Sequence, residues 1–219
     1  FTGKVASRRH VHTVPGKANC IYAETYSYDS LDRLVRVTHQ QDNAPAITLF
    51  ENVYDSLGRL SACVYHGVSS APVTYSYNIR GWLTGIRHPL FSQMLYYTDG
   101  PGRACYNGNI SSMSWKSGNE AVERGYKFMY DGLSRLSDAL YGEGPKLSVN
   151  INRFNEQVTG YDKMGNILGL KRYGQTSATG YDVIDDLSLS YAGNRLKKVA
   201  DRSGTSTFNN GFEFKDGID

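Results

Sequence analysis

This chain of 219 residues has little of what several functional classes require. It has no apolar run approaching the roughly 18 residues of a membrane-spanning helix, so we expect no membrane span. Phe1 to Lys4 do not open the apolar segment of a signal peptide, and no Met precedes them. We therefore interpret the chain as a piece of a longer or processed polypeptide.

Excess charge of either sign is also lacking. The formal net charge is +3, with 24 basic residues interspersed among 21 acidic ones. No basic face is concentrated enough to collect phosphates, so we predict no nucleic-acid partner. Several arginines recur at turn signals, where we expect them to stabilise the turns and not to bind nucleic acid.

Cysteine is scarce and widely spaced. Cys20, Cys63 and Cys105 are odd in number and include no Cys-x-x-Cys pair. A disulfide framework usually needs an even and denser set. Three partly buried thiols are the favoured interpretation, and one disulfide with a free thiol stays open as the alternative.

Catalytic and metal-binding motifs are missing as well. The chain contains no His-Glu-x-x-His, no Gly-x-Ser-x-Gly elbow and no phosphate loop. Asp185 and Asp186 are adjacent, so on a strand they point to opposite faces and do not flank one glycosidic bond. His10 and His12 would share a strand face without a third ligand nearby, and Asp99 lacks the spacing of a calcium loop. We predict no catalytic residue, no cofactor and no metal.

Tyrosine and glycine are abundant, at 17 and 23 residues, and they recur within one short motif. The motif is clearest at residues 54–60, YDSLGRL. Related copies are YDSLDRL at 28–34, YNIRGWL at 77–83, YDGLSRL at 130–136 and YDKMGNI at 161–167. Two shortened relatives are YNGNI at 106–110 and YAGNRL at 191–196. The leading tyrosines are 26, 23, 29, 24, 31 and 30 residues apart, and such a period indicates a repeat architecture.

Each copy of the motif predicts a β-hairpin. Aromatic residues alternate with polar ones before the motif, as in Tyr75-Ser76-Tyr77, which predicts a half-buried strand. The Asp or Asn that follows can accept hydrogen bonds from the backbone just ahead and start a turn. Near the end of the turn, Gly can adopt the left-handed backbone conformation that such loops commonly need. Asp32 and Ser134 occupy that position in two copies. Leu or Ile then returns to the apolar side and begins the second strand.

The repeated signature is the set of residues to which we assign a structural role. It comprises Tyr28, Asp29, Leu34, Tyr54, Asp55, Gly58, Arg59, Leu60, Tyr77, Asn78, Gly81, Leu83, Tyr106, Asn107, Gly108, Tyr130, Asp131, Arg135, Leu136, Tyr161, Asp162, Gly165, Asn166, Tyr191, Gly193 and Asn194.

These hairpins predict an all-β fold. We place them near residues 20–40, 47–66, 73–87, 95–116, 123–141, 150–173 and 181–200, within one domain that spans 1–219. Neighbouring hairpins should pair edge to edge into one long, twisted antiparallel sheet. Residues 1–19 should supply the second strand of an earlier unit, and residues 212–217 should begin another. Exposed sheet edges invite pairing, so we also expect edge-to-edge self-association.

The motif resembles the YD repeats of RHS-repeat proteins, and the resemblance covers roughly residues 20 to 200. Residues 54–60 are close to the consensus hairpin of that family, and 106–115 look like a variant of it. The resemblance implies a hollow shell, similar to the one built by teneurin repeats, that encloses or displays a C-terminal toxin domain absent from this chain. It also implies a secreted or surface location, with the rest of the polypeptide as partner. Self-cleavage in the family depends on an Asp-Pro-x-Gly type segment, and no Asp-Pro occurs here, so no catalytic residue is carried over.

A carbohydrate-binding surface module is the alternative. Trp82 and Trp115 could stack on sugars, but packing on the sheet is the favoured interpretation of both residues.

Overall fold

The computed structural model describes residues 3–204 together with Phe208 and Phe214. The chain is all-β: within the described residues it forms fifteen strands and no helix. The antiparallel all-β prediction is therefore confirmed, and the strand order follows the chain from first to last. The helix-free described part also offers no helix that could cross a membrane. The expected strand near 212–217 lies outside the described residues, apart from Phe214.

The strands are β1 Ser7–His12, β2 Cys20–Tyr28, β3 Leu34–Gln41, β4 Ile47–Tyr54, β5 Leu60–Tyr65, β6 Val73–Tyr77, β7 Leu83–His88, β8 Phe91–Tyr96, β9 Ser112–Ser117, β10 Arg124–Tyr130, β11 Leu136–Glu143, β12 Glu156–Tyr161, β13 Ile167–Gln175, β14 Tyr181–Ala192 and β15 Arg195–Asp201.

The chain divides into two compact units, Phe1–Ser92 and Gln93–Asp219. In the first unit, β1 to β7 pair antiparallel with their neighbours in chain order. In the second, β9 to β15 do the same. The interpretation of 1–219 as a single domain stays a prediction.

Five hairpins share one register. Tyr28 pairs with Leu34, Tyr54 with Leu60, Tyr77 with Leu83, Tyr130 with Leu136 and Tyr161 with Ile167, each next to a β-bulge. The bulge arises because the turn holds a left-handed residue before the return strand. That residue is Asp32, Gly58, Gly81, Ser134 or Gly165, with φ of 61°, 81°, 77°, 61° and 88° respectively.

The core is thin because a sheet of hairpins buries few side chains completely. Val37 and Cys63 are buried in the first unit, and Tyr141, Leu147 and Leu187 in the second. Leu147 comes from an irregular segment after β11 and is only 2% exposed. It needs two glycines beneath it: a Cβ on Gly142 would lie 2.4 Å from the Leu147 carbonyl oxygen, and one on Gly125 would lie 2.8 Å from Leu147 side-chain carbons.

The three cysteines are free thiols in the structure. Cys63 is buried, whereas Cys20 and Cys105 are half-buried. Of the two alternatives, the structure therefore has the three thiols and no disulfide among these residues.

Candidate functional site: the connections between repeats

The turn aspartate organises each hairpin, as Asp55 illustrates. Its Oδ1 accepts the backbone N–H groups of Leu57 and Arg59, each at 2.9 Å. Its Oδ2 accepts Nε of Arg59 at 2.7 Å. One carboxylate thereby closes the turn and fixes the direction of the arginine that follows.

The same arrangement recurs in the other full copies. Asp29 holds Arg33 and Asp131 holds Arg135, with Nε to Oδ2 distances of 2.7 Å in both. Asp162 holds Asn166 through a 2.8 Å bond from the amide nitrogen. In the third copy Asn78 accepts the backbone N–H groups of Arg80 and Trp82 at 2.9 and 3.0 Å, so an amide oxygen replaces the carboxylate.

These contacts stabilise the ionised form of each carboxyl. The backbone N–H of Arg59 is the main cause of a lowered pKa for Asp55, and the N–H groups of Arg33 and Arg135 act likewise on Asp29 and Asp131. For Asp162 the side-chain amide of Asn166 is the main cause of the lowered pKa.

The leading tyrosine joins its repeat to the preceding one. Its hydroxyl donates to the backbone carbonyl at the return position of the preceding copy of the motif. The donors and acceptors are Tyr54 to Leu34 at 2.9 Å, Tyr77 to Leu60 at 2.9 Å, Tyr130 to Ile110 at 2.8 Å, Tyr161 to Leu136 at 2.6 Å and Tyr191 to Ile167 at 2.9 Å.

The turn arginine of the preceding repeat makes a second contact with the same tyrosine, over its ring. Arg33 lies over the ring of Tyr54 at 4.5 Å, Arg59 over Tyr77 at 4.7 Å and Arg135 over Tyr161 at 4.3 Å. These are cation–π distances. We call the whole chain of contacts the connector: Asp orients Arg, Arg covers the next tyrosine, and that tyrosine bonds back to the carbonyl beside Arg.

Part of a connector, namely the cation over the ring and the tyrosine bond, lies at the N-terminal end, and the sequence interpretation missed its details. Gly3 has φ of 70°, Lys4 Nζ lies 5.8 Å from the centre of the Tyr28 ring, and the Val5 carbonyl accepts the Tyr28 hydroxyl at 3.0 Å. Gly3-Lys4-Val5 thus occupies the places of Gly58-Arg59-Leu60. The chemical likeness of Gly-Lys-Val to Gly-Arg-Leu was the available signal.

The two shortened copies depart from the pattern. Tyr106 lies in the strand-free connection between β8 and β9 and is 71% exposed. In the last copy Ala192 pairs directly with Arg195, which leaves a two-residue loop of Gly193 and Asn194. Asn166 contacts Asn194 there, Nδ2 to Oδ1 at 3.2 Å, so an amide pair links the two turns.

The two tryptophans have different surroundings. Trp82, in the first unit, has the Arg80 guanidinium 5.0 Å from its ring centre. Trp115, in the second unit, stacks on Tyr126 at 5.7 Å and lines a cleft. The structure does not bring them together in one described unit.

The histidine and carboxylate pairs that the sequence offered as metal-binding or catalytic candidates do not form a site together. His10 and His12 are exposed on β1, and the described residues contain no group of three or more His, Cys, Asp or Glu side chains able to hold a metal. Asp185 is fully buried and pairs with Arg172 at 2.7 Å, whereas Asp186 pairs with Lys171 at 3.8 Å. Each acidic side chain therefore has its own basic partner.

No protein-family model matches this chain, and no curated protein matches it in sequence. Among solved structures, the crystal structure of TcdB2-TccC3-Cdc42 aligns with 92% of the chain at a TM-score of 0.64 and 13% identity. The fold is RHS/YD-repeat-like. At this identity the likeness concerns the YD-type fold alone.

A second crystal structure, TcdB2-TccC3, aligns with 78% of the chain at 10% identity, but its TM-score of 0.31 is too low to support an argument. The present chain spans 11% of the length of the chain that it matches in TcdB2-TccC3-Cdc42.

Proposed function

We propose that this chain is a non-catalytic structural segment of an RHS-type shell, which encloses or displays a C-terminal effector domain of the same polypeptide. The connector is the observation that supports this role. A catalytic carboxylate normally occurs once, whereas Asp29, Asp55 and Asp131 each hold an arginine in the same way. Repeated residues with repeated contacts serve the architecture.

The proposed partners are further repeats and the effector domain of the same polypeptide, in a protein that is secreted or displayed at the cell surface. Edge strands support the first partner. β1 is exposed along its whole length, and among the described residues its pairing partner is β2. The first four residues of β15 are exposed as well. Unpaired edges readily add strands, in the same chain or in a second copy.

Small-angle scattering with in-line light scattering tests the shell-segment proposal on the chain itself. A compact monomer of this length has a radius of gyration of about 17 Å. We expect a clearly larger value, or a concentration-dependent dimer. A monomer at the compact value at every concentration would contradict a segment that needs neighbouring repeats.

Enclosure of an effector domain requires a separate experiment on the full-length polypeptide. Limited proteolysis followed by mass spectrometry should leave the effector domain intact while the same domain, expressed alone as the control, is degraded. Equal rates of cleavage in the two samples would refute enclosure, even if scattering supports the shell segment.

A further inference from the structure

Each full hairpin carries one large apolar side chain at the tip of its turn, where it lies in solvent. In the first unit these residues are Leu31 between β2 and β3, Leu57 between β4 and β5, and Ile79 between β6 and β7. Leu31 is 70% exposed, Leu57 is 74% exposed and Ile79 is fully exposed. We call these three residues the tip row. The second unit repeats the feature at Leu133 and Met164, which are similarly exposed.

The turn itself does not need an apolar side chain at its tip. Leu31 and Leu57 contribute their backbone N–H groups, which donate to the turn aspartates at 2.9 Å. In the third hairpin Arg80 makes that bond, and the apolar residue is its neighbour Ile79. The apolar side chain therefore recurs although the position that carries it changes. Burial against a partner is what such an exposed side chain would gain.

The tips lie side by side along one edge of the first unit. Consecutive motif turns of this antiparallel sheet open at the same edge, two strand spacings or about 10 Å apart. Neighbouring turns also touch: a Cβ on Gly58 would lie 3.5 Å from Arg33 Nη1, and Arg59 Nη1 donates to the Asn78 carbonyl at 3.4 Å. The tip row therefore presents three apolar side chains over about 20 Å.

Spacing and charge select the partner. A surface that covers all three tips must offer apolar contacts at the same interval of about 10 Å, and an identical tip row does so. The residues beside the central tip, Ser56 and Gly58, are uncharged, so two rows do not repel each other there. One end of the row has an acidic neighbour, Asp32, and the other end a basic neighbour, Arg80. Arg80 also lies 5.0 Å from the Trp82 ring centre, a contact that leaves its positive charge unchanged.

A twofold axis through the central tip matches two such rows along their whole length. It places Leu57 against Leu57 of the second copy, and Leu31 against Ile79 of the second copy. Asp32 of one copy then lies near Arg80 of the other, so the ends of the two rows attract each other by the opposite signs of their charges.

We propose that the tip row is a self-complementary docking surface for a second copy of this chain. Three tips per copy bury less than the roughly 1,200 Å² of a standard interface, so the dimer is weak. Its dissociation constant should be on the order of 100 μM. Association through the tip row does not depend on the shell role or on edge-to-edge pairing through β1.

Sedimentation equilibrium measures the dimer directly. The wild-type chain should dimerise with the expected constant, and the variant Leu31→Ser/Leu57→Ser/Ile79→Ser should associate at least about tenfold more weakly. The matched control is Val68→Ser/Leu90→Ser, which removes exposed apolar side chains from the connections at the opposite edge of the same unit. The control should change the constant by less than about twofold. Thermal melts check that each variant is folded.

Disulfide trapping tests the arrangement of the two copies. In a Cys20→Ser/Cys105→Ser background with copper phenanthroline as oxidant, Leu57→Cys should form a covalent dimer with itself, since the axis passes through this tip. Leu31→Cys should cross-link faster with Ile79→Cys in a mixture than with itself. The background without an added cysteine is the control and should stay monomeric.

Four outcomes would overturn the proposal. A chain that stays monomeric up to about 1 mM excludes the dimer. Dimerisation that survives in the tip variant, or that is lost equally in Val68→Ser/Leu90→Ser, shows that another surface is responsible. Cross-linking of Leu31→Cys with itself that is faster than with Ile79→Cys excludes an axis at Leu57. Cosedimentation with phosphatidylcholine vesicles, abolished by the serine substitutions in a chain that does not dimerise, would make the tip row a lipid-binding surface.

Discussion

Removing one hydroxyl from a connector should lower stability by a measurable and repeatable amount. Tyr161→Phe keeps the ring under Arg135, 4.3 Å from its guanidinium, and deletes only the 2.6 Å bond to the Leu136 carbonyl. A single intramolecular hydrogen bond contributes about 1 kcal/mol, and here the carbonyl loses its partner. We expect a loss of about 1 kcal/mol, which corresponds to a fall in Tm of about 2–4 °C for a chain of this size.

The assay is urea unfolding followed by circular dichroism, with Tm from calorimetry as a second measure. Tyr181→Phe is the matched control, since its hydroxyl makes no hydrogen bond with the described residues although its ring lies 4.7 Å from Arg153. The control should change stability by less than about 0.5 kcal/mol. Tyr54→Phe, Tyr77→Phe and Tyr191→Phe should resemble Tyr161→Phe, because their bonds are equivalent.

A second measurement isolates the arginine's part. A double-mutant cycle between Arg135→Met and Tyr161→Leu should give a coupling free energy of about 0.5–1 kcal/mol, as expected for a partly exposed cation–π pair. If Tyr161→Phe matches the control and the cycle shows no coupling, the connector is not what joins successive repeats. A large effect at only one tyrosine would equally contradict the repeat reasoning.

Three further predictions concern pH and packing. The turn carboxyls of Asp29, Asp55, Asp131 and Asp162 have lowered pKa values, so their contribution to stability is complete above the ordinary value of about 3.9 and is lost as the pH falls through the lowered values. The urea concentration at the unfolding midpoint should therefore decrease when the pH is lowered below about 4, and it should decrease less in Asp55→Asn. A midpoint concentration that stays unchanged down to about pH 2 would refute this. Burial raises the pKa of Tyr126 to about 12, so its neutral form stabilises the fold below the ordinary value of 10.0 and this stabilisation disappears as the pH rises toward 12. Burial raises the pKa of Tyr141 as well, so ultraviolet titration should show more than one late tyrosine, and Tyr126→Phe should remove one of them; an unchanged number of late tyrosines in that variant would refute the assignment. Gly142→Ala should cost about 1–3 kcal/mol because the new Cβ would meet the Leu147 backbone, while Gly132→Ala, with open space around its Cβ, should cost far less; equal losses in urea unfolding would show that Leu147 does not lock this region.

The sequence alone was enough for the hairpins, because their determinants lie within seven residues of one another. An aspartate that caps its own turn, a left-handed residue before the return strand and a return to Leu or Ile are local events, as in residues 54–60. The same locality explains the error at Tyr106. Its motif has the residue types of the other copies, but residues 97–111 form an irregular connection in place of a hairpin.

Tertiary structure decided the contacts that join one hairpin to the next. The Tyr77 hydroxyl reaches Leu60 across 17 residues, and Tyr161 reaches Leu136 across 25. The sequence pattern shows that Tyr and Arg recur, but it does not show that each Arg covers the tyrosine of the following repeat. The cleft beside Trp115 is further from prediction still, because Trp115, Glu156 and Arg172 line it together only once β9 to β13 have paired in register. Local hydrogen bonds fix the repeat, whereas pairing between repeats fixes which side chains meet.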